Sequence, residues 1–416
     1  MRKIALLVAV TTVALAVALL LTAPWGGGGA GTSLVAVDAR TGNELWRVAS
    51  PVASAALSSV ADHQLFLQGG DSCSGHYGTF VALEATSGVQ QWRTPTYNAR
   101  NDGCYTSIWG AAAARGIAVV RDEQGIQGLD STTGQQLWTI AAAKDLDVNL
   151  VGAEDVVLDV PHPWGAQHDV RAFDRRTGEQ RWTKGLPVDD SCGVMFPVVS
   201  GATAFFPVLV GTSQPGYVDA SITAIDLITG TERWRVDMGR ISQDIHACVF
   251  AGDGVVVTNF QKEPTCRPIG ATSAACGPEG KGPVITIVAL ASDDGRELWR
   301  REGGNRVGAF VGDSVYVFGR ENAASSTIEA LEAKSGVRRW EATWDKPIDY
   351  PPLTDGQFIL LTSLGRGVTD RGATSAVFDA ATGAHLWDRP LPPLITLADG
   401  VLYFVISGEF APPPAN

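Results

Sequence analysis

From Ser33 onward, apolar and polar positions alternate in short runs broken by glycine-centred turns, which is the period of β-strands and not of helices. Eight segments align without gaps. LVAVDARTGNELW ends at Trp46, FVALEATSGVQQW at Trp92, IQGLDSTTGQQLW at Trp138 and VRAFDRRTGEQRW at Trp182. ITAIDLITGTERW ends at Trp234, IVALASDDGRELW at Trp299, IEALEAKSGVRRW at Trp340 and SAVFDAATGAHLW at Trp387. Four residues before each tryptophan stands a glycine: Gly42, Gly88, Gly134, Gly178, Gly230, Gly295, Gly336 and Gly383. Four before each glycine stands an acid in seven repeats (Asp38, Glu84, Asp130, Asp174, Asp226, Glu332 and Asp379), with Ala291 the exception.

Each part of the motif has a mechanical reading. Apolar residues such as Val35 and Val37 make a strand, and a small residue two before the acid position lets a neighbour pack closely; Val377 departs from this. The acid can accept hydrogen bonds from turn N–H groups, and glycine supplies the positive φ that closes a short hairpin. The second strand then presents a tryptophan that can wedge between sheets while its indole N–H finds a carbonyl.

The tryptophans are spaced by 46, 46, 44, 52, 65, 41 and 47 residues, each close to one four-stranded propeller blade with the excess in loops. Two further apolar runs precede most motifs, as in VGAFVGDSVYVFGRE and AGDGVVVTNF, so a unit reads strand, turn, strand, loop, strand, TG turn, strand. The first motif has nothing but a glycine-rich stretch before it. The last is followed by PPLITLADGVLYFVISGEF, a first and second strand without a third and fourth. The fold expected is all-β, an eight-bladed β-propeller of four-stranded antiparallel blades over 33–410, in which C-terminal inner strands close one blade with N-terminal outer strands.

Composition adds the cellular setting. Gly 47, Pro 22, 45% hydrophobic and 18% charged residues suit many short strands and turns. With a net charge of −12 and no basic run, nucleic acid is not expected as a partner. Residues 4–25, IALLVAVTTVALAVALLLTAPW, are uncharged and long enough to span a bilayer. They read as an uncleaved transmembrane signal anchor, with a cleaved signal peptide and a buried helix as the alternatives. Arg2 and Lys3 put the cytoplasmic end, 1–3, inside, so the expected location is the cytoplasmic membrane, single-pass, with the propeller extracytoplasmic. Residues 26–32 form a glycine-rich tether and 411–416 a tail; no cysteine precedes Cys73, which rules out a lipidated N-terminal cysteine.

The repeats resemble the pyrroloquinoline-quinone-like (PQQ-like) β-propeller repeat family, whose signature is A-x-D-x-x-T-G-x-x-x-W around a central channel. The resemblance covers about residues 33–410. That family includes quinoprotein alcohol dehydrogenases, the BamB-like scaffolds of outer-membrane assembly and sensor domains of bacterial kinases. The enzymes carry an adjacent cysteine pair beside the quinone, a calcium held by carboxylate and amide groups, and an aspartate base. No Cys-Cys stands in this chain, and its visible carboxylates mostly sit in the turn motif, so no catalytic, cofactor-binding or metal-binding residue is assigned. The resemblance thus implies a non-catalytic binding or scaffolding module at the cell envelope. A small quinoprotein-type dehydrogenase using PQQ with calcium, or another ligand in the channel, is the alternative.

Six cysteines in an exported chain imply disulfides, with fifteen formal pairings. The repeat frame suggests Cys73–Cys104, Cys192–Cys248 and Cys266–Cys276. His162 and His168 with Asp169, and Cys73 with His76, fall short of a zinc set and read as solvated loop residues. Tyr77, Tyr97, Tyr105, Trp164 and Tyr217 share the presumed loop face and together could mark a recognition patch. The partner expected on that face is an envelope protein, a polymer or a small ligand, and the sequence does not choose among them.

Overall fold

The structure is a computed structural model that describes residues 32–407 apart from the segments 53–55, 71–76, 98–110, 123–124, 142–147, 154, 162–168, 187–196, 213–216, 243–247, 263–265, 269–273, 277–283, 321–323, 365–372 and 393–394. The expected anchor at Ile4–Trp25, the cytoplasmic end at 1–3, the tether up to residue 31 and the tail at 411–416 lie outside the described residues. Among the described residues no helix is long and apolar enough to cross a membrane.

Eight four-stranded antiparallel sheets form the propeller. The first blade in chain order is the shared one. Its outer strands are Thr32–Asp38 and Glu44–Ala49, and its inner strands are Ile395–Ala398 and Val401–Ser407. Thr32 pairs with Ser407 and Asp38 with Val401, so the two ends of the chain are zipped along a full strand. The other seven blades begin at Ala56, Ala111, Val148, Val198, Cys248, Arg306 and Leu353 and are numbered two to eight. First strands of neighbouring blades touch around the axis, including Ile395–Ala398 with both Leu353–Thr354 and Ala56–Ala61, which closes the ring.

Strand direction sorts the connections onto two ends. The tight turns between first and second strands, such as Asp62–His63 and Asp399–Gly400, share one end with the TG turns. Within every blade a backbone bond ties these two turns together, as from Ala39 N–H to Gly400 O at 2.8 Å and from Ala85 N–H to His63 O at 2.9 Å. The longer loops share the opposite end.

The core is distributed. Each of the eight blade-to-blade interfaces holds its own cluster of buried apolar side chains. Between blades two and three, for example, Phe66, Phe80 and Trp92 pack on Ala118, Val120 and Leu129. A single blade cannot bury such a face alone, so the ring stabilises itself only when closed.

Candidate functional site

The motif residues build one site eight times over. Each glycine takes φ between +69° and +74° at the end of a turn closed by its own N–H to the backbone carbonyl at the acid position. The acid caps the same turn: Asp130 Oδ1 accepts from Thr132 N–H at 3.0 Å, Thr133 N–H at 2.8 Å and the Thr133 hydroxyl at 2.9 Å. In the sixth blade, where Ala291 replaces the acid, the turn keeps its backbone bond from Gly295 N–H to Ala291 O at 2.9 Å. A bulge follows in every repeat, between the small residue and the next, and turns the tryptophan toward the neighbouring blade.

Every motif indole then donates to a carbonyl of the next blade, at 2.6–3.0 Å. Trp46 reaches Ala85 O, Trp92 reaches Ser131 O, Trp138 reaches Arg175 O and Trp182 reaches Leu227 O. Trp234 reaches Ser292 O, Trp299 reaches Ala333 O, Trp340 reaches Ala380 O and Trp387 reaches Ala39 O. The acceptor is always the residue after the acid position.

Two packing relations explain the small residues. Across its own hairpin each tryptophan faces the small residue, as Trp182 faces Ala172, and Val377 opposite Trp387 shows that a β-branched residue is accommodated once. In the next blade the indole lies on the motif glycine: a Cβ on Gly230 would stand 2.6 Å from Trp182 Cγ, and one on Gly383 2.5 Å from Trp340 Cε3. The glycine is therefore demanded twice, by its φ and by its neighbour's indole; the second reason was not legible in one repeat read alone.

Charged groups buried between blades are the residues that sequence reading missed. At the interface of blades three and four, Arg121 (1% exposed) meets Asp159 (2% exposed) at 2.7 Å, and Arg171 Nε donates to the other Asp159 oxygen at 3.0 Å. Nearby, the Arg175 guanidinium donates to Ala153 O at 3.0 and 2.8 Å and to Ile117 O at 3.2 Å, and burial pulls its pKa down to about 10. Between blades six and seven, Arg301 clasps Glu329 at 2.9–3.0 Å while Asn305 donates to it at 2.8 Å. The signal was a charge inside an apolar strand, as in VVRD, VVLDV and IEALE.

The loop-end candidates stand as follows. Cys73, Cys104, Cys192, His76, His162, His168, Tyr105 and Trp164 lie outside the described residues. Cys248 is disulfide-bonded. Cys266 lies opposite Cys276 in a small hairpin formed by Cys266–Pro268 and Ala274–Cys276. The backbones of Tyr77 and Tyr97 are paired at the loop end of blade two, and the half-buried Tyr217 begins the third strand of blade five at the same end of the propeller. Asp169 is exposed, and among the described residues no group of three His, Cys, Asp or Glu side chains could hold a metal.

Eight tryptophan-docked blades define a PQQ-like propeller. Residues 30–190 and 285–402, more than half of the chain, match the family described as "Outer membrane protein assembly factor BamB", and the chain belongs to that family. It is 24% identical over 280 residues to outer membrane protein assembly factor BamB of Burkholderia pseudomallei, an alignment covering 64% of this chain and 61% of that protein. It is 26% identical over 169 residues to the serine/threonine-protein kinase AfsK of Streptomyces coelicolor, covering 38% of this chain and 18% of the kinase. The alignments thus span less than two thirds of these relatives' own lengths. In fold it is similar to the computationally designed Ika8 protein, with a TM-score of 0.51 at 13% identity over 86% of this chain and 98% of that one.

Proposed function

We propose that this chain is a membrane-anchored, extracytoplasmic propeller serving as a non-catalytic binding or scaffolding module of the cell envelope. The observation that carries the reading is the use of the motif side chains: all eight indoles are engaged in blade-to-blade bonds. What varies between repeats is the long-loop end, where a rigid ring can display different recognition surfaces. The matched relative named for outer-membrane protein assembly supports an envelope role and a protein partner over a polymer or small ligand. The proposal includes residues 4–25 as the anchor and three disulfides, Cys73–Cys104, Cys192–Cys248 and Cys266–Cys276, which suit an oxidising compartment.

The rival reading, a dehydrogenase with PQQ and calcium, fits the residues poorly. No two cysteines are adjacent. The eight strands nearest the axis read ALSSVA, AAAA, VNLVG, VVS, CVFAG, RVGAFV, LT and ITLA, which offer no carboxylate to a calcium ion.

Cross-linking of the full chain in intact cells, followed by membrane fractionation, tests the proposal. A C-terminal tag should be cut by external protease, the chain should stay with membranes, and cross-links should yield adducts of defined mass with another envelope protein. A soluble chain lacking residues 1–30 would show a cleaved signal instead, and a chain that forms no adduct with any envelope component would contradict the scaffold.

A further inference from the structure

The first hairpin of blade seven carries an extra residue. Where Arg306–Val311 pairs with Ser314–Arg320, Ala309 lies opposite Tyr316 and Val307 opposite Val317, so Gly308 is a one-residue bulge. Residues three apart in a regular strand face opposite ways, whereas the bulge puts Arg306 on the same face as Ala309. Packing identifies that face: Ala309, Tyr316 and Phe318 lie against Ile359 and Leu361 of blade eight. A Cβ on Gly308 would stand 2.4 Å from Pro352 Cδ and 2.7 Å from Phe318 Cδ1, so the bulge also lets the buried Pro352 close on Phe318.

The redirection decides what Arg306 meets. On the blade-six face stands Glu329, opposite Val317 and already held by Arg301 and Asn305. On the blade-eight face the Arg306 guanidinium lies over the Phe318 ring, 6.0 Å from its centroid, and no carboxylate among the described residues pairs with it. Arg306 is opposite Phe318 and Arg320 stands two residues further on, so both arginines share this face at the long-loop end. Partial burial and the charge of Arg320 both pull the Arg306 pKa below the ordinary guanidinium value.

The carboxylate at hand is committed to other partners. One Asp349 oxygen accepts from Arg320 at 3.2 Å, and the other accepts from Leu364 N–H at 2.8 Å and the Ser363 hydroxyl at 3.4 Å. The Asp349 N–H donates to Thr362 O at 3.0 Å, which fixes the backbone as well. Two guanidiniums thus share one fixed carboxylate and keep one uncompensated positive charge, in a chain of net charge −12. A further carboxylate balances that charge and matches the planar fork of a guanidinium. A phosphate, at about −1.5 to −2, would overfill the site beside Asp349. The apolar floor of Phe318 and Pro352 suits the aliphatic stem of an acidic side chain.

We infer that the crevice between blades seven and eight, at the long-loop end, is where a protein partner seats an Asp or Glu side chain, held by Arg306 and Arg320 over Phe318. The inference rests on the propeller being a scaffold for another protein, and it names the group that the scaffold takes. Arg306 and Arg320 are both exposed, so the acid reaches them with no rearrangement of the blade.

Two variants of the full chain in its native membranes test this. Arg306→Lys keeps the charge and supplies an amine that a carbodiimide joins, with loss of water, to a carboxylate in direct contact; a bound phosphate gives no such amide. The account predicts an isopeptide bond from position 306 to an Asp or Glu of another envelope protein, mapped by mass spectrometry. Arg306→Gln should lower the yield of the native chain's cross-linked adducts several-fold while the purified variant keeps its melting temperature. Coupling of position 306 to Asp349 alone, or to nothing, while the native adducts persist in both variants, overturns the crevice and leaves the scaffold standing. A native chain that forms no adduct with any envelope protein overturns the scaffold reading, and the crevice with it.

Discussion

The indole N–H of Trp387 donates to the carbonyl of Ala39 at 2.9 Å across a sequence separation of 348 residues. This bond joins the eighth blade to the shared blade and has the same form as the seven others, so the ring closes with an ordinary joint. The strand pairing of Thr32–Asp38 with Val401–Ser407 adds the second half of the closure.

Deleting Pro392–Asn416 removes both inner strands of the shared blade and leaves two open sheet edges. The expected product aggregates, read by light scattering and size-exclusion chromatography. A monomeric truncation that still unfolds cooperatively would contradict the closure.

Trp182→Ala removes an indole that is 8% exposed and bonded to Leu227 O. The expected loss is about 3–5 kcal/mol in denaturant unfolding, the range for buried large aromatics. A loss below about 1 kcal/mol, the size of a surface substitution, would show that the joint does not hold the blades.

Two glycines separate conformational strain from packing. Gly201 has φ +57° with nothing within 4 Å of an added Cβ, whereas Gly230 has φ +71° and meets Trp182 at 2.6 Å. Gly201→Ala should cost about 1–2 kcal/mol, the left-handed penalty alone. Gly230→Ala should cost that and a repacking term of about 1–3 kcal/mol. Equal melting temperatures of the two variants would refute the stacking role.

The pH dependence follows from the turn acids. The Arg233 guanidinium on Asp226 holds that carboxyl at about 2, below the ordinary 3.8. Because the folded pKa is depressed, the stabilisation is complete above about pH 4 and is lost as pH falls through about 2. Arg233 is 37% exposed, so solvent screening keeps the contribution to about 1 kcal/mol or less. Asp226→Asn should flatten the stability profile between pH 4 and pH 2 by that amount; an unchanged acid limb would count against the pair.

The fold was legible because a Gly–x–x–x–Trp spacing repeated eight times leaves few arrangements open, and the unmatched strands after Pro392 announced the shared blade. The first strands were harder to see. Ala111–Ala114 and Leu353–Thr354 are short and hardly alternate, and they are strands because the ring needs an inner layer there. The Arg121–Asp159–Arg171 cluster was not legible because Arg121 comes from the blade before the one in which Asp159 and Arg171 face each other across adjacent strands, and only the register brings them together. The candidates on the loop face, such as Cys73, His162 and Trp164, stand outside the repeating frame, where no periodicity constrains the residues.

The most direct test of the central claim, that the motif serves blade joining and not cofactor chemistry, is a melting curve of the purified propeller with and without PQQ and calcium. A ligand at a hundred times its dissociation constant would add about 2.7 kcal/mol and raise the melting temperature by a few degrees. The account predicts superimposable curves. A shift of several degrees, together with dye reduction in the presence of an alcohol, would contradict it and make the chain a small quinoprotein dehydrogenase.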